Sequence, residues 1–233
     1  MKRTVETNLA MIRRVAFRLG QIRERVVFLG GAATALLITD SAAPDVRITM
    51  DVDVIVEIAT RGDYYRLSED LRSAGFAEDI QEGAPLCRWQ VEGIALDVMP
   101  TNEEILGFSN QWYPDALVHA TTESIGDDMT IRVVTAPYFL ATKIEAFRNR
   151  GRWDFYASHD MEDIVTLLDG RPEIVEEVAS APEDVKEFLA GEFARFLSHR
   201  SFLDALPGHL LPDMASQRRV PILLERINAI ARL

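Results

Sequence analysis

The run Arg47-Ile48-Thr49-Met50-Asp51-Val52-Asp53-Val54-Ile55-Val56-Glu57 decides how this chain is read. From Thr49 to Glu57 it alternates with period two, so Met50, Val52, Val54 and Val56 share one face of a strand while Asp51, Asp53, Ile55 and Glu57 share the other. Two aspartates on one face stand with their Cβ atoms roughly 6.5 Å apart. Their charges then repel by roughly 0.6 kcal/mol in bulk water and about 2.5 kcal/mol at an effective dielectric near 20. On an open face the pair is harmless; in a cleft it calls for a cation. A strand that merely shows polar residues to solvent would look the same, so the pair needs support from elsewhere in the chain.

Two features supply it. Asp97 interrupts the otherwise apolar strand Ile94-Ala95-Leu96-Asp97-Val98-Met99, where aspartate is disfavoured. Upstream, the apolar run Val26 to Leu29 ends in Gly30-Gly31, and Ala32 to Ile38 reads as a helix packed on the sheet. Glycines at a strand-to-helix junction let the backbone approach a phosphate, and the free N–H groups of the helix start favour the anion. Three carboxylates on adjacent strands are hard oxygen ligands, suited to two Mg²⁺ ions in an in-line displacement at phosphorus.

Around this centre the pattern predicts a mixed α/β half over 1–135 and a helical half over 136–233. The chain opens with an amphipathic helix on the stripe Leu9, Ile12, Ala16 and Leu19. A helix over about 63–74 precedes two strands, Leu86 to Val91 and Ile94 to Met99, joined at Glu92-Gly93 by a two-residue hairpin turn. Thr130 to Val134 is the last expected strand. Beyond Pro137 only helical patterns follow: Leu140, Ile144 and Phe147 form one stripe, and Met161, Ile164, Val165 and Leu168 another. Further helices are expected over 174–179, 183–198 and 222–232.

Composition bounds the function. The single cysteine, Cys87, rules out an intrachain disulfide and suits a reducing, cytoplasmic setting. Met1 to Gly20 carries arginines throughout and has no long apolar run, so neither a signal peptide nor a membrane partner is expected. The net charge of −12 hides an asymmetry. Residues 1–25 hold seven basic side chains (Lys2, Arg3, Arg13, Arg14, Arg18, Arg23, Arg25) and two acidic ones, 7 − 2 = +5, which leaves −17 for the rest. With a second group, Lys143, Arg148, Arg150 and Arg152, these could grip a polyanion, or simply be solvated helix faces.

Gly30-Gly31-Ala32-Ala33-Thr34-Ala35-Leu36-Leu37 followed by Arg47-Ile48-Thr49-Met50-Asp51-Val52-Asp53 resembles the polymerase-β-type nucleotidyltransferase superfamily, and within it the AbiEii/AbiGii-type (MenT-like) toxin nucleotidyltransferases. Gly31 stands where most of the superfamily has Ser. Ala141-Thr142-Lys143-Ile144-Glu145-Ala146 and Ser158-His159-Asp160-Met161-Glu162-Asp163-Ile164 resemble the family's lysine and its Asp-x-x-Asp segment. The likeness runs to about residue 170 and leaves 171–233 without a motif.

The resemblance implies a nucleotidyltransferase-type mixed sheet with flanking helices and a C-terminal helical domain that brings Lys143 and Asp160 to the cleft. It implies a Mg²⁺-dependent transfer of a nucleoside monophosphate from an NTP to a hydroxyl, at the tRNA 3′ end or on a protein side chain, with a cognate antitoxin as partner. Asp51 and Asp53 would bind metal, and Asp97 would bind metal or act as base. Gly30, Gly31 and Thr49 would contact phosphate, with Thr34 and Arg47 in the same nucleotide site. Lys143 would pair with the triphosphate, and Asp160 or Asp163 would orient it.

Other readings use the same residues. The chain could be a degenerate transferase that binds nucleotide without turnover. Asp160 could be a helix N-cap with Asp163 in the first turn. His159-Asp160 could be the heart of a helical phosphohydrolase site, and Trp112-Tyr113, in a loop after Asn110, could stack a base.

Overall fold

The apolar, β-branched segments pair into a seven-stranded sheet of order β3-β4-β5-β2-β1-β7-β6 in a computed structural model that describes residues 3–151 and 153–233. The strands are β1 (Val26–Leu29), β2 (Asp51–Val56), β3 (Ala77–Glu78), β4 (Arg88–Val91), β5 (Ile94–Pro100), β6 (Thr121–Ser124) and β7 (Thr130–Val133). Helices α1 (Arg3–Leu19), α2 (Gly30–Leu37), α3 (Arg61–Ser73), α4 (Glu103–Leu106) and α5 (Tyr113–Val118) lie among them. The C-terminal part is helical: α6 (Ala136–Asn149), α7 (His159–Gly170), α8 (Ile174–Ala179), α9 (Glu183–Ser198), α10 (Arg200–Ala205), α11 (Met214–Gln217) and α12 (Val220–Ile230). This is the mixed α/β sheet with a helical C-terminal part that the periodicity predicts.

The sheet is mixed because of its centre. β2 runs parallel to β5 and antiparallel to β1, while β7 is parallel to β1. Val52, Val54 and Val56 are buried, as are Ile12, Ala16 and Leu19 of the α1 stripe, whereas Leu9 is only half-buried and Asn8 takes a fully buried place beside it. The expected turn joins β4 to β5: Glu92 and Gly93 both have positive φ, the backbone of a tight two-residue hairpin. Two strands carry no sequence signal. β3 is two exposed residues and β6 is exposed along its length, so neither shows alternation of apolar and polar residues.

The chain divides into two compact units, Met1–Leu36 with Arg47–Thr135 and Leu37–Val46 with Ala136–Leu233. The segment 37–46 thus leaves the α/β half in which its sequence position sets it. Its partners explain why. Thr39 and Asp40 donate backbone hydrogen bonds to the Gly170 carbonyl, Arg171 donates to the Leu37 carbonyl, and Arg219 bonds Asp40 at 2.7 Å and the buried Asp169 at 2.7 Å. Arg226 adds hydrogen bonds to the carbonyls of Leu168 and Asp169. The last carbonyls of α7 are therefore met by arginines and by this loop, which satisfies groups that a helix end leaves open. That gives the motif-free stretch 171–233 a structural task.

In the second unit α6 is buried along most of its length, including Leu140, Ile144 and Phe147, and α7 buries Met161, Ile164, Val165 and Leu168. Phe147, Phe155, Phe196 and Phe202 pack with Trp153 into an aromatic cluster.

Candidate active site

Register brings the three carboxylates together. Asp53 stands directly opposite Asp97 across the parallel β2/β5 pair, and Asp51 lies two residues before Asp53 on the same strand. Directly opposed residues and residues two apart point to one side, so Asp51, Asp53 and Asp97 share one face of the sheet. Asp97 is 8% exposed, whereas Asp51 and Asp53 are half-buried.

The glycine pair closes on this face. Leu29, the last residue of β1, is paired with Asp53, so Gly30 follows immediately beside it. A Cβ on Gly30 would stand 2.5 Å from Asp53 Cγ and 2.7 Å from Asp53 Cβ, and the backbone there has φ +74°. Gly30 is glycine for two independent reasons, a left-handed turn and a carboxylate lying against its Cα. Gly31 is in the same position toward other residues: a Cβ would meet Arg47 Nη2 at 2.5 Å and Thr49 Cγ2 at 2.7 Å. The space that a side chain at this position would need is taken by Arg47 and Thr49. Both glycines belong to α2, which starts at Gly30 rather than at Ala32. Thr34 lies one turn further on and is buried, with no hydrogen-bond partner for its hydroxyl among the described residues.

Two residues outside the expected set organise the face. The first is Arg88 on β4, paired with Asp97 in the antiparallel β4/β5 register. Its Nε bonds Asp97 Oδ1 at 2.8 Å, and its Nη2 bridges Asp97 Oδ2 at 2.8 Å and Asp51 Oδ2 at 2.7 Å. The hydrogen bonds to Asp97 outweigh the cost of burial and, with the charges of Asp97 and Asp51, raise the guanidinium pKa above its ordinary value. Arg88 is a strand residue among Trp89, Gln90 and Val91, and nothing local marks it. Only its place opposite Asp97 does.

The second is Asn8 of α1. Its amide donates to the Arg47 carbonyl at 3.0 Å and its oxygen accepts from the Thr49 N–H at 3.5 Å, bracketing the backbone just before Asp51. Thr49 Oγ1 donates onward to the Asp51 carbonyl. These bonds replace ladder pairing, which is why β2 begins at Asp51 and not at Thr49. Next to Arg88, Cys87 is buried; desolvation first, and the charges of Asp97 and Asp53 after it, push its thiol up to about 12.

A second constellation lies in the helical unit. Lys143 is 7% exposed, and its ammonium bonds Asp160 Oδ1 at 3.1 Å and Asp163 Oδ2 at 2.6 Å. Arg150 grips Asp160 through two hydrogen bonds of 2.9 Å. Burial alone would raise the Asp160 carboxyl, but Arg150 and the Lys143 charge prevail and hold it below the ordinary value. The aspartates are not capping groups: the N-cap of α7 is Ser158, with Asp160 and Asp163 one turn apart on the side toward Lys143. Lys143 also stands 5.9 Å from the Phe139 ring centroid.

Other expectations do not survive. His159 is exposed and faces Glu162, while both Asp160 oxygens are engaged by Arg150, so the pair does not converge as a phosphohydrolase centre. Trp112 is buried, so its ring is not offered to a base, and the half-buried Tyr113 donates its hydroxyl to Met99 Sδ. Five members of the first basic group are engaged within their own unit: Arg14 and Arg18 share the single carboxylate of Glu92, Arg25 pairs with Asp70, and Arg13 and Arg23 keep their charge while donating to the carbonyls of Ile125 and Gly20. In the second group Arg148 faces Glu192; Lys2 and Arg152 lie outside the described residues. No helix among the described residues is long and apolar enough to cross a membrane.

As they stand, no three His, Cys, Asp or Glu side chains among the described residues form a ready metal cage. The donor chemistry nevertheless fits a divalent ion. A single nitrogen of Arg88 already draws oxygens of Asp51 and Asp97 to within 2.8 Å of one cationic point, with Asp53 directly beside Asp97.

No family model matches the chain, and no curated protein does. Among the solved structures that the chain resembles are two named as nucleotidyltransferases or nucleotidyltransferase-like. An antigenic nucleotidyltransferase-like protein from Paracoccidioides brasiliensis is 20% identical over 90% of this chain and 95% of its own, with a TM-score of 0.45. A protein from H. pylori named a "putative nucleotidyltransferase" is 10% identical over 100% of this chain and 96% of its own, with a TM-score of 0.49. Scores this low assign no activity to this chain; that has to rest on its residues.

Proposed function

We propose that this chain is a nucleotidyltransferase that moves a nucleoside monophosphate from an NTP to a hydroxyl acceptor. The observation that carries the reading is the shared face of Asp51, Asp53 and Asp97, with Gly30 against the Asp53 carboxylate at the start of a helix. The acceptor oxygen forms a bond to the α-phosphorus as the bond from that phosphorus to the bridging oxygen breaks, and pyrophosphate leaves with the electron pair. Asp51 and Asp53 would hold Mg²⁺; Asp97 either completes that ligand set or takes the acceptor's proton. Bound Mg²⁺ would neutralise phosphate charge and make the hydroxyl more acidic.

The N–H groups at Gly30 and Gly31 favour the triphosphate, and Arg47, packed on Gly31, belongs to the same phosphate site, whereas Thr49 is buried with its N–H and hydroxyl already donated to Asn8 and the Asp51 carbonyl. Thr34, expected in the same site, is buried one turn further along α2 and is not offered to the nucleotide. The motif resemblance alone would assign Lys143, held by Asp160 and Asp163 within the helical unit, to the triphosphate. The acceptor we favour is the tRNA 3′ end, as for a toxin held by an antitoxin, with a protein hydroxyl as the variant. This assignment rests on the motif resemblance. The basic groups add little to it, since Arg14, Arg18, Arg25, Arg148 and Arg150 face carboxylates of their own units.

The test is incubation with each α-labelled NTP, Mg²⁺ and fractionated cellular RNA and protein. Label should enter one fraction and vanish with Asp51→Asn; label transfer that persists in that variant removes the assignment. Arg88 favours a second reading, since a binding module without turnover would also tolerate an arginine across its carboxylates. That module would bind NTP in calorimetry with and without Mg²⁺ yet transfer nothing.

A further inference from the structure

Arg88 belongs to none of the motifs, yet it reaches two of the three carboxylates on this face. Its fork takes both oxygens of Asp97 and one of Asp51. A divalent ion needs those oxygens at close range, and it would bring two positive charges next to a guanidinium that already sits between the same groups. Cation and arginine cannot both hold Asp51 and Asp97. The arginine is able to yield: its side chain is one-quarter exposed, and only its side-chain torsions need change, because the β4/β5 pairing fixes its backbone opposite Asp97. In exchange it relieves the mutual repulsion of the carboxylates whenever no metal is bound.

We propose that Arg88 is a competitive latch on the carboxylate face, so that a free divalent ion binds weakly because it must first displace the guanidinium. The proposal rests on the metal reading above and adds a residue that regulates it. In the metal-free protein the latch keeps the face ordered. When metal binds, Arg88 is released toward solvent.

The test is Mn²⁺ titration followed by electron paramagnetic resonance on the full chain without nucleotide, for wild type, Arg88→Ala and Arg88→Met. Both variants should bind Mn²⁺ at least about tenfold more tightly than wild type, and their lowered Tm in chelator should recover on adding Mn²⁺. Should either variant fail to fold, wild type carries the test: in ¹⁵N spectra the Arg88 Nε–H signal, identified by its loss in Arg88→Lys, should shift as Mg²⁺ saturates. Folded variants that bind Mn²⁺ no better than wild type overturn the latch, and so does an Arg88 signal that stays put while Mg²⁺ binds. Label transfer by the wild type separates the two failures: if transfer persists, only the latch is lost, and if it is absent, the transferase reading goes as well.

Discussion

Replacing Gly30 by alanine tests the closest contact of the carboxylate face. Two costs are expected. The backbone at φ +74° is a left-handed conformation in which a Cβ crowds the following carbonyl, worth about 1–2 kcal/mol. The new methyl would also stand 2.5 Å from Asp53 Cγ and 2.7 Å from Asp53 Cβ, so the side chain and part of the strand must shift, adding about 1–3 kcal/mol. The sum is about 2–5 kcal/mol of lost stability, read as a change in the urea unfolding midpoint in chelator.

A double-mutant cycle divides the two terms. Asp53→Gly removes every Asp53 atom that the methyl would meet, so the pair Gly30→Ala/Asp53→Gly should recover the packing part and leave the backbone part. A coupling of about 1–3 kcal/mol is expected. The reasoning is refuted if Gly30→Ala lies within about 0.5 kcal/mol of wild type, or if the two substitutions are additive within about 0.5 kcal/mol.

The buried lysine gives a second test. Lys143→Met keeps the aliphatic stem but leaves Asp163 and part of Asp160 without their ammonium, so stability should fall by about 3–5 kcal/mol in chemical denaturation. A third concerns pH. The folded Asp160 carboxyl titrates below its unfolded value of 3.8, so its stabilisation is complete above that value and is lost as pH falls through the folded-state pKa. Unfolding midpoints measured from about pH 7 down to about pH 3 should drop less steeply in Asp160→Asn than in wild type. The fourth is chemical: with its thiol pushed up to about 12 and buried, Cys87 should resist a thiol-exchange reagent in native buffer near pH 8 and react at once in denaturant. Rapid labelling of the native protein would contradict the packing around β4.

Local periodicity made much of this molecule legible from its residues. The alternation around Asp51 and Asp53 set both on one face because side chains on a strand have period two, and the Leu140-Ile144-Phe147 stripe marked α6 because helices repeat near 3.6. Glu92-Gly93 announced its turn because few residues other than glycine accept a positive φ. What these signals share is range: each depends on neighbours within one or two turns or strand repeats.

Tertiary structure alone decided what lies across from what. Asp53 meets Asp97, Arg88 seizes Asp97 and Asp51, and Asn8 brackets the backbone at Arg47 and Thr49, all through pairings between residues far apart in the chain. Arg14 and Arg18 of α1, basic by count, are tied down by Glu92, and Arg219 holds segment 37–46 from the far end of the chain. Hydrogen bonds and ion pairs of this kind follow from register and packing. Side-chain chemistry read along the chain names the groups that can form them, and the fold chooses the partners.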